Sequence, residues 1–232
     1  MRNKNQDRAL CCKAMIGDRS IALGCVCDGI GSLLNSEISS EMVVEGLRRW
    51  FQGIINDHPS DIRTQELVQD LELTVRELNE LVFQYKAKYS MDIGCTLSLF
   101  LGIDRKYYVF HAGDSRIYCR GDRLVQLTHD EVTTRENEGR IRSFLANYIG
   151  KKQDLWISKF SGDILDGDLY VIGSDGLYKL LTDEDAVGLK NARKDKEMER
   201  ECRKLTARVI ERGERDNVSC AVLYYKQNGR GR

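Results

Sequence analysis

The sequence predicts an α+β fold, because segments with strand-like and helix-like patterns occur in separate runs along the chain. Two strand-like runs come first, two long helix-like segments follow, and the next strands succeed one another without intervening helices. A doubly wound parallel sheet would need a stricter alternation of strands and helices. The chain of 232 residues shows no internal repeat and no linker-like stretch, so we expect a single domain spanning residues 1–232.

The first part of the chain is predicted to form a β-hairpin and two helices. Apolar runs at 9–16 and 20–27 are joined by Gly17-Asp18, a typical turn pair. Within 36–56 and 59–89, apolar residues recur every three or four positions, which predicts amphipathic helices. The second apolar stripe is interpreted as packing on the domain's own sheet, although a coiled-coil or partner-binding face would show the same spacing.

After residue 90 the apolar residues alternate with polar ones, which predicts strands. The expected strands lie at 93–103, 106–112, 115–120, 123–127, 155–160, 168–172 and 218–225. The expected helices lie at 183–189 and 195–212, and a polar helix-like segment is expected at 130–144. Strands therefore outnumber helices in this part of the chain, as expected for antiparallel sheets.

Charge and composition argue against several classes of protein. The 36 Lys and Arg residues balance the 36 Asp and Glu residues, so no bulk charge favours nucleic acid or a membrane surface. No apolar run approaches the roughly 18 residues of a membrane span, and no signal peptide opens the chain. We therefore expect a cytoplasmic protein. Without a secretory segment the eight Cys residues are not expected to form a disulfide framework, and the absence of a C-x-x-C pair argues against a structural zinc site.

The most informative residues are carboxylates at the ends of predicted strands. They are Asp7, Asp28, Asp114, Asp175 and Asp216. Any one of them is explained by the preference of Asp for turns. Together they would crowd one rim if the strands lie side by side, and each negative charge would raise the pKa of its neighbours. A multivalent cation would relieve that repulsion.

The type of ligand indicates which cations would fit this rim. Oxygen-only ligation suits Mg²⁺ or Mn²⁺, and two such ions about 4 Å apart can bind phosphate and supply a hydroxide nucleophile. The strand-end carboxylates therefore favour a dinuclear hydrolase. Competing motifs are weak: the P-loop and G-x-S-x-G patterns are absent, and Leu34 stands where a dinucleotide fingerprint beginning at Gly29 would have its third Gly.

At these residues the chain resembles the metal-dependent Ser/Thr protein phosphatases of the 2C type, in their bacterial form. Seven short motifs occur in the order of that family and span nearly the whole chain. They are RNKNQD at 2–7, CDGIGS at 27–32, GCT at 94–96, GDSR at 113–116, LTHD at 127–130, SDGL at 174–177 and RDN at 215–217.

The resemblance implies a four-layer α-β-β-α sandwich, with two antiparallel sheets flanked by helix pairs. It also implies two Mg²⁺ or Mn²⁺ ions, and a weaker third, that activate water for in-line attack without a phosphoenzyme. Asp28 and Asp175 would be the catalytic residues, and Arg2 would bind the substrate phosphate. The implied metal ligands are Asp7, Asp28, Gly29, Asp114, Asp175 and Asp216. Asp28 would bridge both metals, and Asp114 would share the third ion with Asp175.

The resemblance further implies a signalling enzyme that removes phosphate from phosphoserine or phosphothreonine on proteins phosphorylated by a Ser/Thr kinase. A monomer is expected, with no nucleic-acid or membrane partner. Several departures favour an alternative, a catalytically weak module that binds or senses a phosphoprotein. Arg2 lies almost at the first residue without the usual preceding strand, and Ser32 replaces a Gly. Ile30 leaves no general acid at its position, so the resemblance implies that metal-bound water would protonate the leaving group. The segment 131–150, which takes the place of the variable flap, is short.

Overall fold

The computed structural model describes residues 4–31, 33–57, 63–121, 123–137, 140–192 and 194–226. The strands are β1 (Arg8–Ile16), β2 (Arg19–Cys27), β3 (Leu97–Ile103), β4 (Lys106–Ala112), β5 (Arg116–Arg120), β6 (Leu124–Gln126), β7 (Val132–Asn137), β8 (Arg140–Leu145), β9 (Ser158–Asp163), β10 (Leu169–Gly173) and β11 (Cys220–Tyr224). The helices are α1 (Glu37–Asp57), α2 (Thr64–Tyr89), α3 (Asp175–Tyr178), α4 (Asp185–Lys190) and α5 (Asp195–Glu211).

The strands form two larger antiparallel sheets and one separate hairpin. The first sheet has the order β1-β2-β3-β4-β9, and the second has the order β11-β10-β5-β6. Strands β7 and β8 pair only with each other among the described residues. Every strand pair in the described residues is antiparallel. The α+β class predicted from the segregated patterns is therefore confirmed.

Three hydrophobic clusters hold these elements together. The first lies between the first sheet and helices α1 and α2, and the third lies between the second sheet and helices α3, α4 and α5. The second draws side chains from both sheets, among them Val26 and Phe100 from one and Ile172 and Leu223 from the other. At Gly24 on β2, an added Cβ would lie 2.8 Å from Cδ1 of Ile172, so this position needs a glycine to let the sheets approach.

The apolar stripe of α2 faces the interior, as predicted. Its buried residues Leu67, Leu71 and Val75 belong to the cluster that α2 shares with the first sheet. Helices α1 and α2 approach so closely that a Cβ at Gly46 would lie 2.2 Å from Leu78 Cδ2. The predicted start of this helix at Pro59-Ser60 lies outside the described residues, and the described helix begins at Thr64.

The predicted polar helix-like segment at 130–144 is wrong, because this stretch forms the hairpin of β7 and β8. The β-branched run from Val132 to Thr134 favours extended backbone. Val132 lies opposite Leu145, and Thr133 lies opposite Phe144. The charged residues of this segment obscure the alternation in the sequence.

The other element boundaries differ only modestly from the prediction. The strand expected at 155–160 is observed as β9 at Ser158–Asp163, while Leu155 and Ile157 are buried in the preceding loop. The short helix α3 begins directly at Asp175 and was not predicted. All eight cysteines are free thiols. In the described parts of the chain, no helix has the length and apolarity needed to cross a bilayer.

Candidate metal centre

Strand register brings the five predicted carboxylates to neighbouring strand ends. Arg8, which follows Asp7, pairs with Cys27, which precedes Asp28. In the second sheet, Gly173 pairs with both Cys220 and Arg116. This register places the start of α3, with Asp175, between the loop that carries Asp216 and the loop that carries Asp114.

Two Asp-Gly pairs are explained by close backbone contacts rather than by turn preference alone. A Cβ at Gly29 would lie 2.7 Å from the carbonyl oxygen of Gln6, the residue before Asp7. The Gly29 amide donates a hydrogen bond of 3.1 Å to that oxygen. A Cβ at Gly176 would lie 2.1 Å from the carbonyl oxygen of Asn217, the residue after Asp216. Each glycine therefore lets one site carboxylate approach the chain segment that carries another.

Thr96 fixes the backbone on which Asp28 is held. Its amide donates to the Asp28 carbonyl oxygen at 2.8 Å, and its Oγ1 accepts from the Asp28 amide at 2.9 Å. The same hydroxyl lies 2.6 Å from Oγ of Ser115, which follows Asp114. Gly113, on the other side of Asp114, has a φ of +117° and packs against the Thr96 side chain. The GCT and GDSR motifs thus support the loops of two candidate ligands.

The amino-terminal segment and the RDN motif are joined by a similar contact. The Gln6 amide donates to Oδ1 of Asn217 at 2.9 Å, and Ser40 Oγ donates to the Gln6 carbonyl oxygen at 2.6 Å. The Asn217 amide donates to Oδ1 of Asp216 at 2.7 Å. The segments before Asp7 and after Asp216 are therefore held together by directional hydrogen bonds.

The carboxylates of Asp7 and Asp28 lie close together, and both are largely removed from solvent. Burial raises the pKa of Asp28 well above its usual value, and the charges of Asp7, Asp175 and Asp114 raise it further. Burial also raises the pKa of Asp7, with a smaller contribution from Asp175; the nearby Asp28, Ser174 and Ser219 side chains offset part of this rise. Neighbouring like charges in low dielectric are costly unless a cation balances them.

Asp114 belongs to the same electrostatic cluster. Burial and the charges of Asp175 and Asp130 raise the pKa of Asp114 to about 6, against the opposing effect of Lys179. Oδ2 of Asp175 accepts a hydrogen bond of 2.7 Å from the Lys179 ammonium. Asp216 joins the cluster through its electrostatic interaction with the same lysine. All five predicted carboxylates are therefore linked in one charged region.

Several carboxylate oxygens of this region are buried without a hydrogen bond of normal geometry from the protein, which favours cation binding. Asp7 is only 2% exposed, yet neither of its carboxylate oxygens makes a hydrogen bond of normal geometry to the protein. Oδ1 of Asp175 is also buried without a hydrogen-bond partner. Buried acceptors without donors are rare in proteins. Oxygen ligands of this kind suit Mg²⁺ or Mn²⁺.

A preformed cage of many protein ligands is not observed in the described part of the chain. No group of three or more His, Cys, Asp or Glu residues there is arranged to hold a metal ion. Mg²⁺ keeps several waters when it binds to proteins, so a closed cage of protein ligands is not required. The unpartnered oxygens of Asp7 and Asp175 are the feature that indicates cation binding.

The structure shows two supporting residues that the sequence analysis did not assign. Arg116 binds Asp130 through two hydrogen bonds, from Nε at 2.8 Å and from Nη2 at 2.7 Å. Its guanidinium carbon lies 3.7 Å from the centre of the Tyr178 ring. This paired and stacked arrangement positions the loop after Asp114 against α3. Arg116 belongs to the GDSR motif and Asp130 to the LTHD motif, but only the fold shows that these two residues pair.

Glu131 joins the β7–β8 hairpin to the loop before Asp114. Its Oε2 accepts from the Gly113 amide at 3.1 Å and from Nδ2 of Asn147 at 2.7 Å, and its Oε1 accepts from Ser158 Oγ at 2.5 Å. The Glu131 amide donates in return to the Gly113 carbonyl oxygen at 2.8 Å. The hairpin that replaces the predicted helix is thus fixed beside the carboxylate cluster. No local sequence pattern indicates this role.

The remaining predicted site residue, Arg2, lies outside the described residues. Its assignment to substrate phosphate stays a prediction.

Five carboxylates lie at neighbouring strand ends beside two closely packed Asp-Gly pairs, on two antiparallel sheets with helices. A protein-family model described as Protein phosphatase 2C matches residues 2–207. The chain belongs to the protein phosphatase 2C family.

Curated relatives agree with this membership. The chain is 24% identical over 238 residues to "Probable protein phosphatase 2C 52" of Oryza sativa subsp. japonica, a match covering 92% of this chain and 46% of that protein. It is 24% identical over 239 residues to "Probable protein phosphatase 2C 76" of Arabidopsis thaliana, covering 92% and 54% respectively. The chain thus spans about half the length of these relatives.

Solved structures of bacterial phosphatases share the fold. The serine/threonine phosphatase Stp1 from Staphylococcus aureus superimposes with a TM-score of 0.79 at 19% identity, covering 98% of this chain and 91% of that chain. The Mycobacterium tuberculosis serine/threonine phosphatase PstP/Ppp gives a TM-score of 0.74 at 22% identity, covering 98% and 94%. At these identities the likeness concerns the fold.

Proposed function

We propose that this protein is a metal-dependent phosphatase that hydrolyses phosphoserine and phosphothreonine on proteins phosphorylated by a Ser/Thr kinase. The observation that carries the proposal is the set of buried, unpartnered oxygens of Asp7 and Asp175 beside Asp28, in a chain of the protein phosphatase 2C family. A phosphate ester carries negative charge and would be repelled by these carboxylates alone. Cations between the carboxylates and the phosphate reverse that repulsion.

The proposed metal ligands are the carboxylates at the strand ends. Asp28 would contact two Mg²⁺ or Mn²⁺ ions. The Gly29 carbonyl and Asp7 would complete one site, while Asp175 and Asp216 would complete the other. Metal ions in such a pair lower the pKa of bound water and neutralise charge on the phosphoryl group.

The remaining work falls to groups of the protein itself. Thr96 holds the Asp28 backbone through two hydrogen bonds, which limits movement of this backbone when the Asp28 carboxylate binds or releases a cation. Arg2 would orient the phosphate through the paired donors of its guanidinium. Hydrolysis then transfers the phosphoryl group to water and releases the serine or threonine hydroxyl and inorganic phosphate.

We also propose that the whole chain forms one domain with the four-layer α-β-β-α arrangement. The three hydrophobic clusters support this arrangement, because each one lies between two adjacent layers. The first lies between α1 and α2 and the first sheet, the second between the two sheets, and the third between the second sheet and α3 to α5. Such layering leaves the strand ends that carry the five carboxylates at one edge.

The function is tested by phosphate release from a phosphothreonine peptide and from p-nitrophenyl phosphate. We expect turnover of both substrates, stimulated by Mn²⁺ and abolished by an excess of chelator. The unphosphorylated peptide and a matched phosphotyrosine peptide serve as controls for specificity. Phosphopeptide binding without turnover at any Mn²⁺ concentration would instead support a phosphoprotein-sensing module. Turnover that persists in chelator would contradict the metal-dependent reaction.

A further inference from the structure

Lys179 places a positive charge at the mouth of the carboxylate cluster. It lies four residues after Asp175, and its ammonium donates a hydrogen bond of 2.7 Å to Asp175 Oδ2. The side chain of Lys179 is 47% exposed and that of Asp175 is 23% exposed, so the pair lies at the mouth of the cluster. Hydrogen bonding to Asp175 raises the pKa of Lys179 against the opposing effect of burial, and the charges of Glu214 and Asp216 add to the rise.

The ammonium interacts with the same two carboxylates that the weaker third ion would need. The resemblance assigns that ion to Asp114 and Asp175. Lys179 is bonded to Asp175, and its charge lowers the pKa of Asp114 against the effects of burial and Asp175. The ammonium bonded to Asp175 therefore already supplies part of the positive charge that an ion would bring.

We propose that the Lys179 ammonium takes the place of the third metal ion between Asp114 and Asp175. This inference rests on the proposed metal-dependent function, because it concerns how many ions the cluster holds. Two positive centres cannot share one small site without strong repulsion. The hydrogen bond to Lys179 also occupies Oδ2 of Asp175, while Oδ1 keeps no protein partner and stays available for the ion shared with Asp28.

The inference is tested by counting Mn²⁺ ions bound per chain, using electron paramagnetic resonance of free Mn²⁺ and equilibrium dialysis. The variants are Lys179→Ala, Lys179→Arg, and Lys179→Ala combined with Asp114→Asn. Lys204→Ala is the matched control, since Lys204 pairs with Glu201 on α5 at 2.9 Å and stands apart from the cluster. Circular dichroism of each variant checks that the fold is retained.

We expect Lys179→Ala to bind one Mn²⁺ ion more than the unaltered chain, and the added Asp114→Asn change to remove that ion. Lys179→Arg and Lys204→Ala should keep the unaltered count. An unaltered chain that already binds an Asp114-dependent ion, or a Lys179→Ala variant with an unchanged count, would overturn the inference. The readout is independent of turnover: a gain of one Asp114-dependent ion supports the role of Lys179 even where the phosphatase assay fails.

Discussion

Replacing Asp28 with asparagine is expected to reduce Mn²⁺-stimulated hydrolysis of p-nitrophenyl phosphate by about a thousandfold or more. The proposed assignment gives this carboxylate a role at both ions, so no other single side chain affects as many metal contacts. Metal ions supply several kcal/mol of charge stabilisation in the transition state, and each ~1.4 kcal/mol corresponds to a factor of ten in rate. Initial rates over a range of Mn²⁺ concentrations measure the loss.

The same substitution should leave the metal-free fold intact or stabilise it. Burial and three neighbouring carboxylates raise the pKa of Asp28, so its charge is unfavourable in the metal-free protein. A neutral amide of the same shape removes that repulsion. Asp18→Asn, in the exposed turn between β1 and β2, is the matched control and should keep full activity. An Asp28→Asn protein that is folded and retains a tenth or more of the activity would contradict the role of Asp28.

The second large effect concerns stability: adding Mn²⁺ to chelator-treated protein is expected to raise its thermal unfolding midpoint by about 10 °C or more. One ion at a hundred times its dissociation constant stabilises a native state by about 2.7 kcal/mol. Two ions therefore contribute about 5 kcal/mol, and each kcal/mol shifts the midpoint of a domain of this size by about 2–4 °C. Differential scanning calorimetry with and without Mn²⁺ measures the shift.

The expected stabilisation by Mn²⁺ comes from the buried carboxylate oxygens, so variants of these carboxylates serve as its test. Both carboxylate oxygens of Asp7 and Oδ1 of Asp175 are buried without a hydrogen bond of normal geometry, so cation binding removes an unfavourable feature of the metal-free protein as well as adding favourable contacts. Asp28→Asn should lose most of the shift, whereas Asp18→Asn should retain it. An equal shift in the Asp28→Asn protein would mean that Mn²⁺ acts elsewhere on the surface.

Much of the fold could be predicted because its elements carry clear local patterns. The hairpin of β1 and β2 follows from alternating apolar residues around Gly17-Asp18, and the interior face of α2 follows from its regular stripe. The candidate ligands were identified for a related reason, since each lies where a predicted strand begins or ends. Their proximity depends on register, such as the pairing of Arg8 with Cys27, which no local pattern reveals.

Tertiary contacts explain what the sequence analysis missed. The β7–β8 hairpin is rich in charged residues, and it is held in place by Glu131 through contacts to Gly113 and Ser158, which are distant in sequence. Lys179 comes directly after α3, a helix of four residues that begins at Asp175 and is too short to show a periodic pattern. The roles of both residues depend on groups that only the folded chain brings near.

The most direct test of the metal centre is anomalous X-ray diffraction from crystals grown with Mn²⁺. We expect two strong anomalous peaks in contact with the Asp28 carboxylate, one also near Asp7 and the Gly29 carbonyl and the other near Asp175 and Asp216. Peaks confined to other surfaces, with the oxygens of Asp7 and Asp175 still without cations in an active preparation, would contradict the proposed site.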